Sequence, residues 1–226
     1  MTVTMSENVG FEVSDGIAVL ELRRPEKRNA VSREMWQAML SHLELAAGRA
    51  DVRVLVVQGS GGVFCAGADL TEVKGTDNAP AEYFRELVVR TLSAVAAFPA
   101  PSIARIEGPC IGGGCSLALA CDFRFAHPGA VFAIPAVRHG IVYDEHSVAR
   151  LVELMGPSRA ARMLYTAERL DASEAARAGL VDECGADLDV LIAGFSEAVT
   201  PGDRDTIAAI HSLLRATAHP TATLRV

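Results

Sequence analysis

An α/β fold is what this sequence predicts, and three observations predict it. Short apolar, β-branched runs such as Val54 to Val57 and Ser102 to Ile106 recur along the chain, as buried parallel strands do. Stretches with apolar residues every three to four positions fall between them, as amphipathic helices require. No linker and no fixed-period repeat interrupts the alternation, so the 226 residues read as one domain. Half the residues are hydrophobic and 22% are charged, which places the chain among ordinary globular proteins. A net charge of −7 argues against a general nucleic-acid binder, and no apolar run approaches the ~18 residues needed to span a bilayer. The cysteines (Cys65, Cys110, Cys115, Cys121 and Cys184) are odd in number and form no C-x-x-C pair. With no signal peptide in view, they read as reduced, partly buried thiols of a cytoplasmic protein. Lysine occurs only at Lys27 and Lys74 while arginine and alanine abound, the usage of a GC-rich bacterial genome.

In order along the chain, Met1 to Gly10 is polar and patternless and reads as a frayed end. Phe11 to Val13 and Ile17 to Leu22 flank Ser14-Asp15-Gly16, a hairpin signal. Arg23 to Asn29 is a basic loop whose Pro25 argues against regular structure. Ser32 is placed to N-cap a helix to about Ala47, with Met35, Trp36, Met39, Leu40 and Leu43 on one face. Val54 to Val57 reads as a strand, Thr71 to Ala81 as a polar mobile segment, and Glu82 to Phe98 as a helix. Ser102 to Ile106 is the next strand, and Phe123 to Ala126 and Val131 to Ala133 are two more. Helices are expected over Asp144 to Leu154 and Ser158 to Thr166, parted by Gly156-Pro157. Asp171-Ala172-Ser173-Glu174 caps a short helix that stops at Gly179. Leu188 to Val199 and Arg204 to Ala216 are the last helices, before a loose tail to Val226.

The stretch with chemical content is Glu107 to Ser116, where Gly112-Gly113-Gly114 opens a helix. Consecutive glycines there bring bare backbone close to a ligand and leave N–H groups free where the helix dipole favours negative charge. A tight turn needing positive φ would use the same residues. A P-loop is excluded because Gly114 and Cys115 stand where Lys and Ser/Thr are needed. A dinucleotide fingerprint fails at Leu117, where its third glycine should be. Ser116 between small residues imitates the nucleophile elbow of serine hydrolases, but the strand ends near Ile106 and Ser116 should already be helical.

Phe64-Cys65-Ala66-Gly67-Ala68-Asp69-Leu70, followed some forty residues later by Gly108-Pro109-Cys110-Ile111-Gly112-Gly113-Gly114-Cys115, resembles the crotonase superfamily, also called enoyl-CoA hydratase/isomerase. Three further segments are similar to that family: the loop Leu22 to Ala30, the helix end Ala118-Leu119-Ala120-Cys121-Asp122, and Ala175 to Val181. The resemblance implies a spiral of ββα units over about residues 11–185, with a shortened C-terminal helical part over 186–226. It also implies acyl-CoA thioesters as ligands, coenzyme A entering as part of the substrate, and trimers or dimers of trimers. No metal is implied, and no His, Cys or carboxylate set has ligand spacing. By position, the N–H groups of Ala68 and Gly113 would form an oxyanion hole for the thioester carbonyl. The basic loop with Arg24, Lys27 and Arg28, and the main chain around Ala66 and Leu70, fall where the family holds the CoA nucleotide and pantetheine. Ala30, Asp69, Gly112, Ser116 and Ala136 complete the positions where the resemblance implies contact with the substrate or its CoA.

Hydratases of that family use two glutamates, and this chain has Ser116 and Ala136 at those positions. Neither can serve as a base near neutral pH, so hydration is not expected. Asp144 falls where isomerases and dehalogenases of the family carry an acid, and it becomes the candidate base for moving an α- or γ-proton of an enoyl-CoA. Its neighbours Glu145 and His146 are weaker candidates, as is His139, and Asp144 could also serve only as a helix N-cap. Two alternatives stand beside this: a non-catalytic acyl-CoA carrier, to whose divergent branch the pattern Gly140, Asp144, Ser147, Arg150, Leu151 is similar, and a serine hydrolase using Ser116. The family's final helix pair, expected to cover the adenine or brace the trimer, has no counterpart in this sequence.

Overall fold

A computed structural model describes residues 6–73 and 81–218. The chain winds through successive ββα turns, each placing one strand in a large sheet, one extended segment in a small sheet, and then a helix. The first turn is the hairpin β1 (Val9–Ser14) and β2 (Ile17–Leu22), an extended Val31, and α1 (Arg33–Ala47). The second is β3 (Val54–Gly59), the segment from Cys65 to Ala68, and α2 (Leu70–Val73) with α3 (Ala81–Ala96). The third is β4 (Ser102–Ile106), β5 (Pro109–Ile111) and α4 (Gly113–Ala120). The fourth is β6 (Phe123–Ala126), β7 (Val131–Ala133) and α5 (Glu145–Met155). After α6 (Pro157–Thr166) come β8 (Leu170–Asp171), α7 (Ala172–Arg177), β9 (Glu183–Cys184), α8 (Leu188–Val199) and α9 (Arg204–Ala218).

The large sheet has the order β1-β2-β3-β4-β6-β9, parallel except for the β1–β2 hairpin. The small sheet is β5-β7-β8, extended by single bridges between Cys65 and Cys110 and between Val31 and Ala68. Alternation on β3 explains why its sequence is apolar throughout. Leu55 and Val57 face the main core with Trp36, Met39 and Leu43 of α1, whereas Val54 and Val56 face a second cluster with Leu188 and Ile192 of α8. Ser32 accepts a hydrogen bond from the Met35 N–H (3.3 Å), and Asp171 and Glu174 form a reciprocal capping box on α7, as their spacing predicts. The helix α9 is fastened to the end of α4 through Asp122, whose Oδ1 accepts from His211 Nε2 (3.0 Å) and Arg215 Nη2 (2.7 Å). Burial pushes the Asp122 carboxyl up, but these two partners outweigh it and hold the group below the usual carboxylate range.

Several expectations are corrected. The first strand begins at Val9, so Gly10 is paired with Glu21 rather than frayed. Pro25–Lys27 is a one-turn 3-10 helix, because a proline at its first position needs no N–H partner. The polar segment expected over 71–81 is helical through Val73, residues 74–80 lie outside the described residues, and α3 begins at Ala81. The tail after 218, like Met1 to Met5, also lies outside them.

The basic loop is anchored by Asn29, which is fully buried with φ +54°. Its Oδ1 accepts from the Arg24 N–H (2.8 Å), and its Nδ2 donates to the carbonyls of Ser60 (2.9 Å) and Val63 (2.7 Å). Asparagine tolerates left-handed φ, and its one side chain satisfies three backbone groups. Asn29→Ala is therefore expected to cost about 3 kcal/mol or more, since each buried group left unpaired costs roughly 1–3 kcal/mol. At this chain length that lowers the thermal midpoint by about 6–12 °C. A melting curve shifted by less than about 3 °C would show that these bonds matter little.

Candidate active site

Parallel pairing explains how two backbone N–H groups come to face one space. The Val31 N–H donates to the Gly67 carbonyl (2.8 Å), and the Val31 carbonyl accepts from Asp69 N–H (2.9 Å). Residues alternate along an extended segment, so the Ala68 N–H between them points the other way, toward the third turn. There Ile111 N–H donates to Cys65 and Gly112 N–H to Ala133, while Gly113 opens α4 with the unsatisfied N–H of a first helical residue. Among the described residues neither the Ala68 nor the Gly113 N–H has a hydrogen-bond acceptor. The two lie close together: a methyl group added to Gly113 would sit 3.2 Å from the Ala68 nitrogen. Each belongs to the residue where an extended segment gives way to a helix, in neighbouring turns of the spiral.

Two glycines make this approach possible. Gly67 has φ +104°, and a Cβ there would lie 3.0 Å from the Ile111 carbonyl and 3.3 Å from the Gly113 nitrogen. Gly114 packs so tightly that a Cβ would fall 2.5 Å from the Cys65 carbonyl. Beneath them Cys65, Cys110 and Cys115 are buried as free thiols. Burial pushes the Cys65 thiol up to about 12 and raises Cys110 as well, so the sulfurs of Cys65 and Cys110 stay protonated and are not nucleophiles.

The N–H pair opens into an apolar cavity of about 390 Å³, walled by Trp36, Phe84, Val88, Ile111, Val142 and, among the candidate positions, Ala66, Leu70, Gly112 and Ala136. Ser116 and Asp144 line it as well. Ser116 lies one turn into α4 and donates from Oγ to Asp144 Oδ2 (3.0 Å). Asp144 Oδ1 accepts from the Ser147 N–H (2.8 Å), so the residue N-caps α5 and faces the cavity together. Tyr143, unanticipated from sequence, donates its hydroxyl to the Gly112 carbonyl (2.8 Å) and so ties the α5 entry to the residue before Gly113. Burial raises this phenol, keeping it protonated as a donor.

The other candidates are distributed around this centre. Arg24 is not a free cation: its Nη1 donates to Asp69 Oδ2 (2.9 Å) and to the Ala30 carbonyl (3.2 Å), bracing the basic loop against the turn that carries Ala68. Asp69 is held below the usual carboxylate range by the Thr71 hydroxyl first and Arg24 second. Lys27 and Arg28 are exposed on the loop. Glu145 is exposed on the first turn of α5 and does not wall the cavity, as a helical neighbour of Asp144 must point elsewhere. His139 lines the cavity, and His146 lines a second one that shares Ser116 and Asp144 with the first. The Ser116 hydroxyl meets a carboxylate and not an imidazole, which is not the nucleophile–base pairing of a serine hydrolase.

Comparison with known proteins bears on the family. A family model described as "Enoyl-CoA hydratase/isomerase" matches residues 12–221. The "Probable enoyl-CoA hydratase echA6" of Mycobacterium leprae is 38% identical over 183 residues, 79% of this chain and 71% of that protein. The mitochondrial Delta(3,5)-Delta(2,4)-dienoyl-CoA isomerase of Rattus norvegicus is 34% identical over 202 residues, 84% of this chain and 62% of that one. Among solved structures, an "enoyl-CoA hydratase/ carnithine racemase" from Magnetospirillum magneticum superposes with a TM-score of 0.89 at 26% identity, covering 97% of this chain and 84% of the other. The order of ββα turns, the facing N–H groups and the matched span together assign this chain to the enoyl-CoA hydratase/isomerase family.

Proposed function

We propose that this protein binds acyl-CoA thioesters and shifts the double bond of an enoyl-CoA through a thioester enolate. The carrying observation is the pair of unpartnered N–H groups, Ala68 and Gly113, beside an apolar cavity lined, among the described residues, by one carboxylate, Asp144. In this scheme the thioester oxygen accepts from both N–H groups. Asp144 removes a proton from one carbon of the acyl chain, the electron pair moves onto the thioester oxygen, and Asp144 returns the proton to another carbon. Fixed donors in a dry site suit an oxygen whose charge grows along the reaction. Exposed Lys27 and Arg28, with the main chain at Ala66 and Leu70, would meet the CoA moiety, and Arg24 would position that loop through Asp69.

Hydration is not part of the proposal, because Ser116 and Ala136 occupy the positions of the two hydratase glutamates. Crotonyl-CoA is expected to go unhydrated, while 3-enoyl-CoA thioesters convert to their conjugated isomers, followed by ultraviolet absorbance. Crotonyl-CoA turnover at the ~10 s⁻¹ typical of enzymes would overturn the assignment.

One observation favours the carrier reading. Both Asp144 oxygens already accept a hydrogen bond, one of them the cap of α5, so the carboxylate has a structural use independent of chemistry. Calorimetry separates the two: tight acyl-CoA binding with no turnover of any enoyl-CoA supports a carrier.

A further inference from the structure

A second cavity, of about 470 Å³, adjoins the first, and the residues common to the two linings are Ser116 and Asp144. These side chains, joined by the bond from Ser116 Oγ to Asp144 Oδ2 (3.0 Å), are the partition between the two spaces. What surrounds each space differs. The first is walled mainly by apolar groups, so an acyl chain bound there excludes water. The second lies among α3, α4, α5 and α9, and exposed residues line it: Ser93 and Ala97 of α3, His146 of α5 and Ser212 of α9. It is therefore open to solvent. Hydroxyl, imidazole and guanidinium groups on its walls give entering water hydrogen-bonding partners. Asp144 is itself only half-buried. Each of its oxygens accepts one hydrogen bond, Oδ2 from Ser116 and Oδ1 from the Ser147 N–H. A carboxylate has roughly four acceptor positions, so both oxygens keep a lone pair for a proton or a water.

We propose that the second cavity is the proton port of the site, where Asp144 trades the proton it has taken from the acyl chain for one from water. This rests on the isomerase reading of the first cavity and says where the proton goes between the two carbons. Asp144 takes a proton from the α-carbon of a 3-enoyl-CoA, and the C–H electron pair moves into the thioester dienolate. The neutral carboxyl then gives that proton to water in the second cavity and receives another from it. The second proton is the one delivered to the γ-carbon. As it arrives, the β–γ π pair forms the new C–H bond, the enolate pair becomes the α–β double bond, and the thioester carbonyl is restored. Oxygen-bound protons exchange with water far faster than an enzyme of ordinary speed turns over, ~10 s⁻¹, so contact with water is the one requirement. A carboxylate sealed behind its substrate would instead carry the same proton across.

The test is isomerisation of 3-hexenoyl-CoA by the whole protein in deuterium oxide, with product taken at early conversion and its γ-carbon analysed by NMR and mass spectrometry. Most product molecules are expected to carry one deuterium there. Product without the label means that the proton stays on a sealed carboxylate, and overturns the proposal. Label can also enter through the mouth of the first cavity, so the second cavity is then obstructed. Ala97→Trp and Ser212→Trp each place an indole in it from an exposed position that no step of the reaction uses, where substitution seldom disturbs folding. Each variant is expected to keep its turnover and lose most of the label. Label undiminished in a folded variant puts the exchange in the first cavity, and overturns the proposal as well. The unaltered protein decides the first question even if both variants fail to fold. If it neither isomerises 3-hexenoyl-CoA nor exchanges the α-protons of butyryl-CoA with solvent, the isomerase reading falls and the port with it.

Discussion

Asp144→Asn is expected to lower enoyl-CoA isomerisation by about 10²–10⁴-fold, the usual contribution of a positioned general base. The substitution is informative because it separates the two uses of this residue. As an N-cap, asparagine is about as good as aspartate, so the Ser147 N–H keeps its acceptor and α5 keeps its start. The amide Nδ2 can then donate to the Ser116 hydroxyl oxygen, so the contact between α4 and α5 need not open. What asparagine cannot do is take up a proton. A protein that only capped a helix here would lose neither stability nor function. The base reading predicts unchanged melting and unchanged affinity for a saturated acyl-CoA, with turnover alone collapsing. Activity within about threefold of the parent would assign Asp144 a structural role and leave the proton transfer without a carrier; a tenfold change is only 1.36 kcal/mol.

Ser116 sharpens that expectation. A hydroxyl bonded to one carboxylate oxygen fixes the direction of the other lone pairs, and the Ser147 N–H fixes the second oxygen. The carboxylate is thus held by both flanking helices. Among the described residues that line the apolar cavity, Asp144 is the one acid. That arrangement suits a proton passed between carbons of one substrate better than the addition of water across them.

Legibility of the fold followed the length of each signal. Helix α1 could be read because Ser32 caps it and five apolar residues repeat along one face; α7 could be read because Asp171 and Glu174 make a capping box. Strands β3 and β4 are long enough for a β-branched run to stand out. The pairs β8 and β9 are two residues each and β5 three, too short for any periodicity, and β5 opens on Pro109. They exist because the spiral places a partner strand beside them, which is tertiary information.

The site divides in the same way. Gly112 to Gly114 announce exposed backbone locally, and family resemblance pointed to Ala68 and Asp144. The bond between Arg24 and Asp69 joins residues far apart in sequence, and neither residue type predicts the other. Tyr143 carries no local signal of its role, since a tyrosine before a helix is ordinary. Its part is set by what α4 brings against the start of α5.

Gly113→Pro should be the second large effect, a loss of about 10²–10³-fold in turnover, the cost of removing one oxyanion donor. A backbone donor is usually beyond the reach of mutagenesis, because side-chain changes leave the N–H in place. Gly113 is an exception by virtue of its place. It is the first residue of α4, where a proline is tolerated because the helix has no carbonyl for that N–H to reach. Its N–H is unpartnered in the structure, so no internal hydrogen bond is lost with it. The added ring does approach Ala68, since a Cβ at this position lies 3.2 Å from that nitrogen. Gly113→Ala supplies the control, adding the same Cβ while keeping the N–H. If the oxygen of the thioester is held as proposed, the alanine variant loses activity only through crowding and the proline variant loses much more at similar stability. The difference between them reports the loss of the N–H together with the Cδ that takes its place, and should amount to at least roughly 2.7 kcal/mol of transition-state stabilisation. Equal losses in the two variants would mean that bulk alone matters at Gly113, and that the thioester oxygen is held elsewhere.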